Sequence, residues 1–431
     1  MLRHQRILVT GGSGYIGREV CRRLTSGGFT VTALTRKSKN PDPRMQVVEG
    51  DMSDLASLER ALAGADAVIH LAAAKSDEPD SHETNVDGAR NLVAACNRNG
   101  VRLIVFVSTA SVKLPQLGRY GATKAAAENI LLASNIPIII LRPSIVYGRG
   151  ESGVFGSLVK FSRWPLIPVM GNGECLFRPI HVDDVSAIVE NALGNERARG
   201  KTYDVGGPET ISLNALIEKI CREVVGKQRL RIIHIPSSIG VAIARMLSRL
   251  MQKPPITVSN ILGSTQDIQW DPDPLHKDFD VSLRSLNEGF GEFRHAAMRG
   301  EASALYRYLY SRSGRLYRSS EDIEERYVRA LEAHGITGPM HPLLRAVPFF
   351  LGPLDAATRL FYPNSPLQSR LAIASALVEC DSESAEWLLP KDRAPARVLA
   401  RSVLLSLSAS TKIVIGLLLA LIPGFIRTHA T

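Results

Sequence analysis

Two short stretches of this chain hold residues whose types and spacing suit chemistry. The first is Gly11-Gly12-Ser13-Gly14-Tyr15-Ile16-Gly17, directly after the apolar run RILVT of Arg6–Thr10. A glycine at 11 permits a tight turn, and one at 14 lets a phosphate approach the backbone. A glycine at 17 lets the following helix pack closely, and free N–H groups at that helix's start bind anions. In this strand–turn–helix setting the stretch reads as a dinucleotide pyrophosphate site, with Tyr15 and Ile16 counted among its contacts. The second stretch is Tyr120-Gly-Ala-Thr-Lys124. Side chains four apart share one helix face. An ammonium beside a phenol favours the phenolate and brings the phenol toward proton exchange near neutrality. Lys124 is also placed to hydrogen-bond a nicotinamide ribose. The pair is common by chance, so its position downstream of Ser108-Thr109-Ala110-Ser111 carries the weight.

The elements that must position these groups follow from periodicity. Strands are expected at Arg6–Thr10, Thr30–Leu34, Gln46–Glu49, Ala67–His70, Leu103–Ser108 and Pro137–Leu141. Helices are expected between them at Tyr15–Ser26, Leu55–Leu62, Thr84–Arg98 and Tyr120–Ala133. Such alternation predicts βαβ units and a parallel sheet covered on both faces, with ligands at the strands' C-terminal ends. The fold class is thus α/β, a Rossmann doubly wound sheet. A smaller C-terminal substrate-binding region and a helical extension are expected after it. From about residue 145 prolines and glycines predict a loop-rich segment. Regular elements then return as helix Val182–Leu193, strand Thr202–Val205, helix Leu213–Val225 and helix Ser237–Met251, the last capped by Ser237 or Ser238. Asp271–Pro274 marks a break. The expected regions are 1–180 (dinucleotide-binding Rossmann domain), 181–295 (its remaining elements and the substrate region) and 296–431 (the helical extension).

Two further residues bear on the dinucleotide. An acidic residue at the end of the second strand would accept from a ribose 2′-OH and select NAD(H), but Thr35-Arg36-Lys37 stands there. Two cations suit a 2′-phosphate, so NADP(H) is favoured over NAD(H), unless Arg36 only stacks on adenine or is solvated. Asp51, with Met52 counted beside it as a cofactor contact, can accept from the adenine amino group. Asp51 also suits an N-cap of the next helix, and the two roles are compatible.

Composition narrows the function class. Apolar residues make up 45% and charged residues 22% of the 431, an ordinary globular balance. Five scattered cysteines without a CxxC pair or a His cluster argue against a disulfide framework or a metal site. The start shows no secretory signal pattern, so a cytoplasmic location is expected. Much of the excess behind the net charge of +10 lies after residue 290, and not in one nucleic-acid-like patch. It reads as a solvated basic face or as attraction to anionic lipid. Ser402–Ile426 ends the chain with an apolar run whose uninterrupted part, Ile413–Ile422, is short for a bilayer span. It reads as a monotopic anchor, a buried terminal helix or a span; the flanking arginines favour peripheral attachment to a membrane surface.

Taken in order, several stretches resemble the extended branch of the short-chain dehydrogenase/reductase superfamily, the NAD-dependent epimerases and dehydratases. They are Thr10–Gly17, Gly50-Asp51, His70-Leu-Ala-Ala, Asn85–Leu92, Val107–Ser111, Tyr120–Lys124, Leu141–Gly148 and Arg178–Asp184, and they span about residues 5–290. The resemblance implies an enzyme in which Tyr120 is the general acid/base and Lys124 its pKa-lowering, ribose-binding partner. It implies Thr109 as the hydroxyl at the substrate oxygen, with Ser108 and Ser111 as alternatives. Ala72 and Ala73 would line the dinucleotide site, and Pro143, Ser144 and Ile145 would lie by the nicotinamide. Ser144 would face substrate where many relatives carry Asn. Arg178 would meet a substrate diphosphate or bridge to Asp183 or Asp184. The short Thr109–Tyr120 segment and Ser144 depart from the nucleotide-sugar pattern. Hydride transfer at a secondary alcohol or ketone is the expected reaction, with a nucleotide sugar as leading substrate and a lipid-linked alcohol next. The alternatives are a non-catalytic dinucleotide-binding protein, like the accessory subunit of complex I, and a membrane-surface hydroxysteroid-type dehydrogenase. The resemblance also implies a homodimer through the helices of residues 84–98 and 120–133.

Overall fold

The computed structural model describes residues 5–36, 44–74, 81–150, 153–227, 230–251, 256–312, 321–333 and 366–379. The expected strands and helices of the first half form in chain order. They are β1 (Arg6–Thr10), α1 (Tyr15–Ser26), β2 (Thr30–Thr35), β3 (Gln46–Glu49), α2 (Leu55–Ala61), β4 (Ala67–His70), α3 (Gly88–Asn99), β5 (Leu103–Val107), α4 (Arg119–Leu132) and β6 (Ile138–Pro143). Further on come β7 (Val146–Tyr147), α5 (Gly153–Ser162), β8 (Ile167–Met170), β9 (Leu176–Phe177), β10 (Ile180–His181), α6 (Val182–Gly194) and β11 (Thr202–Val205). They are followed by β12 (Ile211–Ser212), α7 (Leu213–Lys219), β13 (Ile232–Ile235), α8 (Ser237–Leu250), α9 (Val258–Thr265), α10 (Asp273–Asp278), α11 (Leu286–Arg312), α12 (Glu321–Ala333) and α13 (Pro366–Glu379).

Seven strands make one parallel sheet in the order β11-β6-β5-β4-β1-β2-β3. The chain winds outward in both directions from the β1–β4 junction, so the crossovers diverge there and open a crevice at the strands' C-terminal ends. Each face of the sheet is sealed by its own core. On one side Val20 and Leu24 of α1 and Val185, Ile188 and Val189 of α6 pack on Ile7, Val9, Ile69 and Val105. On the other, Leu58, Ala89, Leu92, Ala127 and Leu131 pack on Leu8, Val68, Ile104 and Ile140. Strands buried on both faces read as continuous apolar runs, as LIVFV of β5 does.

The segment after residue 145 holds more regular structure than expected. β7 pairs with β10, β9 with β12 and β8 with β13, and α5 lies among them. Pro168 sits inside β8 because Ile167 N–H and Gly171 N–H bond the carbonyls of Arg231 and Ile235. The proline's missing donor falls where β13 asks for none. Two caps differ from expectation. Ser237 and Ser238 lie inside α8, whose N-cap is Pro236 without a side-chain bond. Asp54, not Asp51, caps α2 by accepting from Ala56 N–H.

The chain divides into two compact units. The first comprises Met1–Cys221 and Arg229–Glu292, which takes in the sheet and the small strand pairs. The second comprises Arg222–Gln228 and Phe293–Thr431. The boundary falls within α11. In the second unit Met298, Leu305, Tyr327, Val328, Leu331 and Leu371 form the core. Four cysteines (Cys21, Cys96, Cys175 and Cys221) are buried and form no disulfide. Among the described residues no helix is long and apolar enough to cross a membrane. Ser402–Ile426 and Lys37 lie outside the described residues.

Candidate active site

The glycine turn is built as its residue types require. Gly11 has φ +72°, and a side chain there would run into the Ala72 and Leu71 backbone within 2.9 Å. Gly17 lies so close to the turn that a Cβ would sit 2.2 Å from the Gly11 carbonyl oxygen. The helix therefore packs against the turn itself. Gly14 closes the turn by donating to Gly11 O at 2.9 Å and serves as N-cap of α1 without a side-chain bond. That end of α1 has no acidic residue in its first turn, and exposed N–H groups with the helix dipole favour an anion there. These features fit a dinucleotide's pyrophosphate. Ala72 and Ala73 follow β4 beside the turn and are half-buried, and Ala72 N–H donates to Thr10 Oγ1 at 3.2 Å. Arg36 is exposed at the end of β2. Asp51 Oδ1 accepts from the Ser53 N–H at 3.0 Å and from its hydroxyl at 2.9 Å, while Met52 is buried.

Lys124 is buried one turn into α4. Its Nζ donates to Val107 O at 3.0 Å and lies 4.1 Å from the Phe106 ring centroid. Burial draws its pKa down to about 7, with the Glu128 charge opposing. Tyr120, half-buried in the first turn of α4, has its phenol pushed up to about 12 by burial. The expected lowering of the phenol by the ammonium is not found; desolvation raises it and favours the neutral form of each group. Thr109 follows β5, accepts from Ser111 N–H at 3.3 Å and lies 3.3 Å from Ser111 Oγ. Ser108 Oγ is buried and has no hydrogen-bond partner among the described residues. Pro143 ends β6, Ser144 N–H donates to Val205 O at 2.9 Å, and Ile145 is buried next to them.

Several supports stood in the sequence only as members of the resembling stretches, without a role of their own, and Ser259 was not among them. Asn85 lies in a π-helical turn over Glu83–Asp87. Its Oδ1 accepts from Ala74 N–H at 2.9 Å and its Nδ2 donates to Thr123 Oγ1 at 3.0 Å. Thr123 in turn donates to the Tyr120 carbonyl at 3.1 Å, so the strand edge is tied to the helix that carries the phenol. His70 stacks on Phe106 with centroids 5.0 Å apart, and its Nδ1 meets Thr10 Oγ1 at 2.8 Å. Burial first, and the Lys124 charge second, hold His70 down to about 3. Ser259 Oγ accepts from Tyr120 N–H at 3.4 Å, which brings α9 to the start of α4.

Arg178 does not pair with Asp183 or Asp184. Its Nε and Nη2 donate to the carbonyls of Gly207 and Pro208 at 3.0 and 2.9 Å, and both aspartates take Arg284 instead. His181, Asp183 and Glu292 bring three ligand-type atoms within 4.8 Å of one another. A guanidinium already supplies the positive charge there. Arg284 Nη1 lies 2.6 Å from His181 Nδ1 and 2.9 Å from Asp183 Oδ2.

Residues 7–206 match the NAD dependent epimerase/dehydratase family, and this part of the chain is a domain of that family, as its motifs implied. It is thus of the extended short-chain dehydrogenase type. The chain is 29% identical to a 2-alkyl-3-oxoalkanoate reductase of Stenotrophomonas maltophilia, over 66% of this chain and 97% of that one. It is 32% identical to a ceramide reductase of Caulobacter vibrioides, over 42% of this chain and 58% of the relative. In structure it is similar to a UDP-glucose 4-epimerase of Thermotoga maritima. The TM-score is 0.52 and the identity 22%, with 66% of this chain and 96% of the other covered, which is a likeness of fold.

Proposed function

We propose that the Rossmann unit prefers NADP(H) to NAD(H) and reduces a ketone to a secondary alcohol on a lipid-carried substrate, as a homodimer built on α3 and α4. The bound dinucleotide supplies the hydride. Tyr120 gives the proton to the developing alkoxide, and a phenol held up at about 12 is fully protonated and ready to donate. Thr109, with Ser111 beside it, orients the substrate oxygen. Lys124 is held at the C-terminal end of β5 with a pKa of about 7, so it can carry or release charge near neutrality and restore the phenol's proton. The observation that carries this reading is the buried Lys124 one turn after a half-buried Tyr120, on the sheet edge that also bears the glycine turn.

Lipid is favoured over nucleotide sugar by three features. The Thr109–Tyr120 segment is short, Ser144 stands in place of Asn, and two relatives are named as reductases of a 2-alkyl-3-oxoalkanoate and of ceramide. Arg178, the candidate for a substrate diphosphate, spends its Nε and Nη2 on backbone carbonyls. The test follows NADPH absorbance with a long-chain 2-alkyl-3-oxo acid, beside conversion of UDP-glucose to its 4-epimer. Consumption of NADPH with the keto acid alone is expected. Epimerisation without net dinucleotide turnover would replace this reading with the nucleotide-sugar one. Dinucleotide binding with no reaction on either substrate would favour a non-catalytic role.

A further inference from the structure

Helix α8 packs in reverse. The residues it buries are small: Gly240 and Ala244 are its only buried ones, with Val241 and Leu247 half-buried. Gly240 lies against Met170 and Ile261. Four of its large apolar side chains face outward: Ile239 is 50% exposed, Ile243 41%, Met246 55% and Leu250 74%. At about 100° per residue these four fall within an arc of about 60°, a continuous stripe along the helix. Scattered exposed apolar residues need no explanation, but a stripe of four aligned ones marks a surface for a partner. Leu166, just before β8, and Ile233, in the paired strand β13, are exposed as well.

The charges along this stretch of the sequence point to the partner. From Val224 to Gln266 the chain contains no aspartate or glutamate and six cations: Lys227, Arg229, Arg231, Arg245, Arg249 and Lys253. Arg245 and Arg249 are exposed and lie side by side, about 90–130° round the helix from the stripe's centre. An apolar stripe bordered by arginines, in a stretch of chain without acids, suits a helix lying in the interface of an anionic bilayer, with the stripe among the acyl chains and the guanidinium groups at phosphates. A second copy of the same face would bring like charges together, which opposes self-association.

We propose that α8 is a monotopic docking helix for an anionic lipid surface. It packs on α9, and α9 reaches Tyr120 through Ser259, so docking sets the start of α4 beside the membrane. The binding itself stands apart from the redox reading, since it needs no dinucleotide and no reaction. The surface also differs from Ser402–Ile426, and the full chain with its terminal segment intact keeps that segment constant.

The test is co-sedimentation of the full chain with vesicles of phosphatidylglycerol and phosphatidylcholine, and with pure phosphatidylcholine. The variant Ile239→Gln/Ile243→Gln/Met246→Gln/Leu250→Gln alters exposed positions only, and circular dichroism with NADPH binding checks its fold. Wild-type protein is expected to prefer the anionic vesicles and to release at high salt. The glutamine variant should lose at least about tenfold in partition, and Arg245→Gln/Arg249→Gln about threefold to tenfold on anionic vesicles alone. Vesicle binding by the glutamine variant equal to wild type overturns the proposal and assigns attachment elsewhere. A wild-type dimer that becomes monomeric in the glutamine variant also overturns it, in favour of a contact between copies. An unchanged NADPH reaction in a variant that no longer binds vesicles supports it and leaves the redox reading standing.

Discussion

Two buried cations, one in each unit, are handled in opposite ways. Arg370 in the helical unit donates to Glu301 at 2.7 Å, and the Tyr327 hydroxyl donates to the same carboxylate oxygen at 2.6 Å. All three residues are buried, and the pair is hydrogen-bonded as buried charges must be. Lys124 in the Rossmann unit is as deeply buried, yet among the described residues no carboxylate bonds it. A backbone carbonyl and a ring face are its neighbours, and the nearby Glu128 is bonded to Arg142. A paired cation fixes helix against helix. A cation deprived of a partner has a pKa near 7, where a change in its surroundings moves its proton. The first arrangement suits structure and the second suits chemistry.

The largest test of that contrast is Tyr120→Phe. Loss of the phenol should cut turnover by about 10²–10⁴-fold while NADPH affinity, read by fluorescence titration, stays within a few-fold. Undiminished turnover would move the chemistry away from α4. Next is Arg370→Met, which leaves Glu301 buried without its cation and should cost the helical unit about 3–5 kcal/mol. Amide exchange across α11, α12 and α13 would report it, and adding Glu301→Leu should recover most of the loss.

Lys124→Met should act in the reverse sense on stability. The lysine's folded pKa of about 7 lies below its ordinary 10.5. Between those values the unfolded chain binds the extra proton, so stability rises with pH through that window and is lowest below it. The methionine variant should therefore be more stable than wild type at pH 7, with a flatter stability profile from about pH 7 to 10.5, although it turns over poorly. A wild-type slope that survives the substitution would show that another group titrates there. The smallest effect is expected from Arg36→Ala, about tenfold in the ratio of NADPH to NADH affinity, or roughly 1.4 kcal/mol.

Much of the Rossmann half is legible in residue types. RILVT, AVIH and LIVFV are short apolar runs between helical patterns, and β1, β3, β4, β11 and α1 have the bounds that periodicity assigns. The later strands were less visible because they are two to four residues long, and β8 carries a proline. Such strands are defined by a partner strand rather than by a local pattern. The Asp51 cap failed for a related reason: Asp54 stands three residues later and is nearer the helix start.

Gly11, Gly17, Tyr120 and Lys124 declare themselves through spacing, since a turn and a helix face are local geometries that a few residues dictate. Other features depend on segments far apart in the chain. Desolvation raises the Tyr120 phenol and lowers Lys124 because the folded chain buries them, Lys124 against Val107 and Phe106, and the sequence at positions 120–124 holds no record of that burial. Arg178 reaches Gly207 and Pro208, and Arg284 takes the two aspartates, across separations of 29 to 101 residues. The stripe on α8 is written in the sequence as an amphipathic pattern. Which of its faces turns inward was decided only when Gly240 and Ala244 met the core and left the larger side chains outside.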